Sequence, residues 1–187
     1  LTLFLFCVNI KYSHFQIKKY KKFFFANNIS KGEKIAKIKG DIMREDTVNL
    51  LKECNSGITM GMSSINNVLP YVKNPDLKST LIACKEKHAK LGERTHKALA
   101  MYDESRNPPH VMAKMMADAK VKTQLFFTME SKDKQIASSM TDGCNMGIKS
   151  INKYLNMYDG ANNDSKEIAT SLIACEEELL KDLKQYL

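Results

Sequence analysis

Apolar residues recur between residues 47 and 72 in alternating steps of three and four: Leu51, Cys54, Ile58, Gly61, Ile65, Val68 and Val72. That spacing lines one face of a helix, with Asp46 or Thr47 as the expected N-cap. Asn74-Pro75 reads as a second helix start, the cap at Asn74 and proline in the first turn. Leu77, Leu81, Cys84, His88, Leu91 and Leu99 then mark an inner face that runs to about Tyr102. Asn107-Pro108-Pro109 breaks the pattern, and a further helical stretch from Val111 to Met129 carries Met112, Met115, Met116, Ala119, Leu125 and Phe126. Another helix is expected from about Ser131 to Tyr158, closed by Asp159-Gly160. Asp164-Ser165-Lys166-Glu167 has the form of a capping box and opens a last helix that runs to the C-terminus.

Two phrases within this pattern occur twice. Gly57-Ile58-Thr59-Met60-Gly61-Met62-Ser63-Ser64-Ile65-Asn66-Asn67-Val68-Leu69 returns as Gly143-Cys144-Asn145-Met146-Gly147-Ile148-Lys149-Ser150-Ile151-Asn152-Lys153-Tyr154-Leu155, at an offset of 86. Leu81-Ile82-Ala83-Cys84-Lys85-Glu86 returns as Leu172-Ile173-Ala174-Cys175-Glu176-Glu177, at an offset of 91. The five extra residues fit a longer turn in the second copy. Each glycine inside a helix costs roughly 1 kcal/mol against alanine. Gly57, Gly61, Gly143 and Gly147 are therefore expected to mark close approaches between packed helices. Short turns make each helix pair antiparallel, so the plan is a hairpin over 43–104, a connecting helix over 108–130 and a second hairpin over 131–187. The fold class expected is all-α: a four-helix bundle of two duplicated αα-hairpins with a helical crossover.

From Met43 onward, the duplicated phrases and this topology resemble the small bacterial ferritin-like families of unknown function. Metal-binding members of that wider superfamily hold two ions between the helices, using one Glu from each of two helices and Glu-x-x-His from each of the others. Glu93-Arg94-Thr95-His96 matches the second element, but the equivalent place in the last helix falls at Lys184–Leu187, which holds neither ligand. On a helical wheel Glu53 and Asp142 fall away from the apolar faces of their helices, where further carboxylates would be needed. The resemblance thus implies a bundle with an incomplete di-metal set. An alternative assembles Glu86, His88, Glu93, His96, Glu176 and Glu177 into an iron or manganese site acting on peroxide or oxygen.

Several of these residues also have ordinary roles. His88 lies at the centre of an apolar face and has Leu179 as its repeat equivalent, so a buried neutral imidazole with one hydrogen bond is the expectation. Lys85 and Glu176 occupy equivalent positions and are expected to meet as an ion pair that specifies hairpin pairing. Glu86 and Glu177 flank the apolar stripe, and Glu93 with His96 reads as a surface pair. Asn66 and Asn152 are expected to bond helix backbones or each other across the pseudo-two-fold axis. The stripe of Met112, Met115 and Met116 suits packing across the bundle or an interaction surface, such as a homodimer.

Charge changes the picture only at the N-terminal end. The chain of 187 residues carries a formal net charge of +8, and nine Lys against Glu33 and Asp41 place +7 of it in residues 1–42. The remaining 20 basic and 19 acidic side chains nearly cancel, so no basic face for nucleic acid is expected. Phe, Tyr, Asn, Ile and Lys make up 26 of the first 42 residues but 43 of the remaining 145. All five use A/T-rich codons, and Lys39-Gly40-Asp41-Ile42-Met43 can be encoded as a ribosome-binding sequence before a start codon. Residues 1–42 are thus expected to be a translated upstream leader. The rival is a truncated membrane span, Leu1–Ile10, with its basic flank; it is short for a bilayer, and its charges follow the apolar run rather than precede it. Five Cys without C-x-x-C suggest reduced thiols rather than a disulfide framework.

No Ser-His-Asp arrangement, phosphate loop or nucleotide fingerprint occurs. The expectation is a cytoplasmic bundle with a structural or protein-interaction role, with no cofactor and no enzymatic activity. The metal-binding or redox protein and the membrane-tethered bundle are the alternatives.

Overall fold

The computed structural model describes residues 31–102 and 132–187. Among them all regular structure is helical, in four long helices: α1 (Lys31–Val68), α2 (Pro75–Ala100), α3 (Lys132–Met157) and α4 (Asn163–Leu183), with short 3₁₀ turns at Leu69–Tyr71 and Lys184–Tyr186. The chain divides into two units, Leu1–Ile42 and Met43–Leu187, and the second is the one described below. Most of residues 1–42 and the connection carrying Met112, Met115 and Met116 lie outside the described residues. No described helix is long and apolar enough to cross a membrane.

Asn74 caps α2 as expected, its side-chain oxygen accepting from the backbone N–H of Asp76 at 2.8 Å and of Leu77 at 3.1 Å. Two other starts differ from expectation. Asp46 and Thr47 do not begin α1, which is already helical from Lys31. Thr47 instead donates its hydroxyl back to the Met43 carbonyl at 2.6 Å, a bond available only inside a helix. Both side chains reach the turn between α3 and α4: Asp46 accepts from the Gly160 N–H at 3.0 Å, and Thr47 Oγ1 from the Asn162 N–H at 2.9 Å. Asn162, not Asp164, caps α4 by accepting from the Ser165 N–H at 2.9 Å.

The contacts give the packing directions. His96 of α2 meets Asn55 of α1, while a Cβ built on Gly61 would touch His88, so these helices run antiparallel. On α2 and α4, Cys84 meets Cys175 while Arg94 binds Asp164 and Glu167, again antiparallel. A Cβ on Gly57 would reach Leu172 Cδ2 at 3.4 Å and Ile151 Cδ1 at 3.7 Å, so α1 passes close to both α4 and α3 there. Side chains from all four helices form two apolar cores. One holds Leu50, Leu51, Cys54, Leu99, Ile151 and Ile168; the other holds Ile65, Leu77, Leu81, Met140, Leu179 and Leu183. Leu91 packs against both. The last residue of the first core on α1 is Ile58, the first of the second is Ile65, and Gly61 lies between them.

Candidate functional site: a buried thiol, imidazole and carboxyl cluster

At this junction the two cores give way to chemistry. Cys84 and His88 stand one turn apart on α2, a spacing that puts both side chains on one face. Cys175 and Glu176 approach from α4. The Cys84 and Cys175 Sγ atoms are 4.0 Å apart, and each lies 3.5 Å from His88 Nδ1. Nδ1 is also 3.0 Å from the Cys84 carbonyl oxygen, and Nε2 lies 3.0 Å from Glu176 Oε1. His88 is 1 % exposed and the Glu176 side chain 12 %. Cys144 of α3 adds a third thiol, which hydrogen-bonds Glu176. All four described cysteines are free and buried.

The two glycine phrases explain why this fits. A Cβ on Gly61 would lie 2.7 Å from His88 Nε2 and 2.9 Å from its Cδ2, closer than side chains tolerate. A Cβ on Gly147, the repeat equivalent, would sit 3.8 Å from the Glu176 carboxyl carbon. The second glycine of each phrase therefore faces the same polar pair, one against the imidazole and one against the carboxyl. A Cβ on Gly57 would meet Leu172 and Ile151 at ordinary van der Waals distance, whereas one on Gly143 would have nothing within 4 Å.

The electrostatics follow from these contacts. Burial alone would lower the His88 pKa, but its bonds to Cys175 and Glu176 carry it up to about 10. These contacts favour the cationic ring, and both ring nitrogens have partners, Nε2 at Glu176 and Nδ1 at the Cys84 carbonyl, where one hydrogen bond was expected. Cys175 is held below the usual thiol range, first by the hydrogen bond from Cys84 and then, against its burial, by His88. The same Cys84–Cys175 bond, together with burial, pushes Cys84 up. Burial and the nearby Glu176 raise Cys144. Glu176 pairs with His88 and not with Lys85, because His88 presents Nε2 from the interior while Lys85 lies at the edge of α2.

The six carboxylate and imidazole candidates thus separate. His88 and Glu176 are brought together; Glu86, Glu93 and Glu177 are exposed. His96 is half-buried and lies 2.8 Å from Asn55 Oδ1 through Nε2, with Glu93 on the outer side. Asn152 donates to the Ile148 carbonyl at 2.9 Å, as expected of a backbone-bonding asparagine. Cys84 and Cys175 were not among the sequence candidates. Their equivalent repeat positions and the i, i+4 spacing of Cys84 to His88 were the signal that could have found them.

A second polar feature lies in the first core. Glu53 is 3 % exposed, contrary to its expected place on the outer side of the helix, and one of its oxygens has no partner. The reason is that α1 is enclosed almost all round between residues 47 and 58, with Tyr154 reaching Glu53 and His96 reaching Asn55. Burial raises the Glu53 pKa against the hydrogen bond from Tyr154 and the charge of Lys153. Burial, then Glu53 itself, pushes the Tyr154 phenol up to about 12.

Three donor atoms of the cluster, Cys84 Sγ, Cys175 Sγ and one His88 ring nitrogen, all lie within 4.8 Å of one another. Among the described residues they make up the candidate metal-binding group. Comparison with known proteins finds no matching family model, no matching curated protein and no matching solved structure.

Proposed function

We propose that this chain is a ferritin-like bundle of two duplicated hairpins that binds one divalent ion of the zinc class through Cys84, His88 and Cys175. The observation that carries this reading is the size of the donor triangle. A tetrahedral ion with bonds of about 2.3 Å to sulfur and about 2.0 Å to nitrogen holds two sulfurs about 3.8 Å apart and each about 3.5 Å from the nitrogen. The triangle here measures 4.0, 3.5 and 3.5 Å. Glu176 on the far ring nitrogen is the usual companion of a ligating histidine: it fixes the ring and strengthens it as a donor. Two thiols and an imidazole select zinc, or another soft or borderline ion, over the iron or manganese that a carboxylate set would favour. The duplication is supported by Gly61 and Gly147 facing one polar pair, and by contacts between the equivalent residues Cys84 with Cys175 and Lys87 with Glu178.

The test is metal content. Reduced full-length protein is loaded with zinc, iron(II) or manganese(II), stripped of excess and analysed. Expected is one zinc per chain, lost in Cys84→Ser and Cys175→Ser with helicity retained, and a thiolate charge-transfer band when cobalt(II) replaces zinc. Protein that stays metal-free with its thiols reduced overturns the reading. That result would favour a second one, a bundle with a structural or interaction role. Its supporting observation is that both ring nitrogens of His88 already have protein partners at 3.0 Å.

A further inference from the structure

We propose that Cys84 and Cys175 are also a redox pair, oxidised by a small hydroperoxide to a disulfide that excludes the metal. The exclusion rests on the metal reading above; the disulfide does not. Of the four described thiols, these are the two within hydrogen-bond reach of each other, 4.0 Å between sulfurs. A disulfide needs about 2.05 Å, so each sulfur has about 1 Å to close from the 4.0 Å seen here. The two cysteines come from facing helices and from equivalent repeat positions. Cys54 is buried among Leu50, Leu51 and Ile58 with no thiol partner, and Cys144 bonds Glu176 instead.

The chemistry closes with the groups present. One sulfur attacks an oxygen of the hydroperoxide: an S–O bond forms, the O–O bond breaks, and the leaving alkoxide takes a proton from His88, 3.5 Å from either sulfur. The second sulfur then displaces hydroxide from the sulfenic acid, which leaves as water with the second thiol's proton as the S–S bond forms. In sum, two thiols and one hydroperoxide give one disulfide, one alcohol and one water. In the metal-bound site the ion departs, because a disulfide offers neither thiolate and His88 alone remains. Two solvent protons then stand in for those the metal had displaced.

The experiment titrates zinc-loaded full-length protein with hydrogen peroxide while a chelating dye reads released zinc and peptide mapping reads linkage. Expected are two thiols consumed and one zinc released per peroxide, a Cys84–Cys175 cross-linked peptide, and recovery of binding after dithiothreitol. In Cys84→Ser, Cys175 should be trapped as a sulfenic acid by dimedone. Zinc-loaded protein that keeps both thiols in excess peroxide, or that oxidises Cys54 or Cys144 first, overturns the inference and leaves the metal reading standing. Protein that never takes zinc but forms the Cys84–Cys175 link supports the inference and overturns the metal reading.

Discussion

Glu176 and Glu53 both carry a carboxyl group into the helix packing, and their surroundings differ. Glu176 meets a histidine cation and a thiol at the junction of the two cores, beneath two glycines that make room for it. Glu53 has Tyr154 on one oxygen and nothing on the other. The first arrangement compensates a buried charge; the second favours the protonated acid. Both partners come from another helix, so what separates the two carboxyls is the chemistry of the partner, an imidazole for Glu176 and a phenol for Glu53.

The comparison is broken most directly by removing Glu176. In metal-free protein, Glu176→Leu is expected to cost about 3–5 kcal/mol in urea unfolding, because it leaves His88 Nε2 buried without its carboxylate partner. Adding His88→Leu, the residue already present at the equivalent position 179, should recover most of that loss. A single variant as stable as the wild type would show that the pair does not hold the helices. Next in size are the glycines. Gly61→Ala is expected to lose about 1–3 kcal/mol, because its Cβ would strike an imidazole anchored at both nitrogens. Gly143→Ala, with open space, should gain up to about 1 kcal/mol from helix propensity, read from the same denaturation curves. The smallest effect sharpens the other side. Glu53→Gln keeps an acceptor for Tyr154 and removes the ionisable acid, so it should stabilise the protein by about 1 kcal/mol at neutral pH. The sign follows from the raised pKa. The wild type's favourable contribution is complete below the ordinary carboxylate value of 4.5 and is lost as pH rises through the raised one. Curves for the two proteins should therefore converge in acid and separate towards neutrality. A variant less stable than wild type at neutral pH would mean that the ionised form is compensated.

How much of this was legible in the sequence varied with the environment of each helix. On α2 the apolar spacing placed Leu77, Leu81, Cys84, His88 and Leu99 correctly in the interior, because that helix has one buried face and one wet face. Around Glu53 the same logic failed. A helix enclosed by neighbours on several sides has no outer face for a wheel to find, and Glu53, Asn55 and Ser56 are buried beside Leu51 and Cys54. Asp46 and Thr47 have the composition of an N-cap but serve a distant turn, and only tertiary contacts distinguish the two uses. The thiol cluster was half visible. Repeat alignment paired Cys84 with Cys175, but it also paired Lys85 with Glu176, and it gave no means of knowing that His88 would reach the carboxyl first.

The clasp from Asp46 and Thr47 to the α3–α4 turn joins residues more than a hundred positions apart in the chain. Its consequence concerns order of assembly. The hairpin of α3 and α4 rests on neighbours close in sequence, which meet early, whereas its turn cannot be secured until α1 has docked. The Gly160 and Asn162 amide protons should then be among the last in the turn to become shielded from solvent exchange during refolding. The first half of the chain thus acts as a latch on the turn of the second.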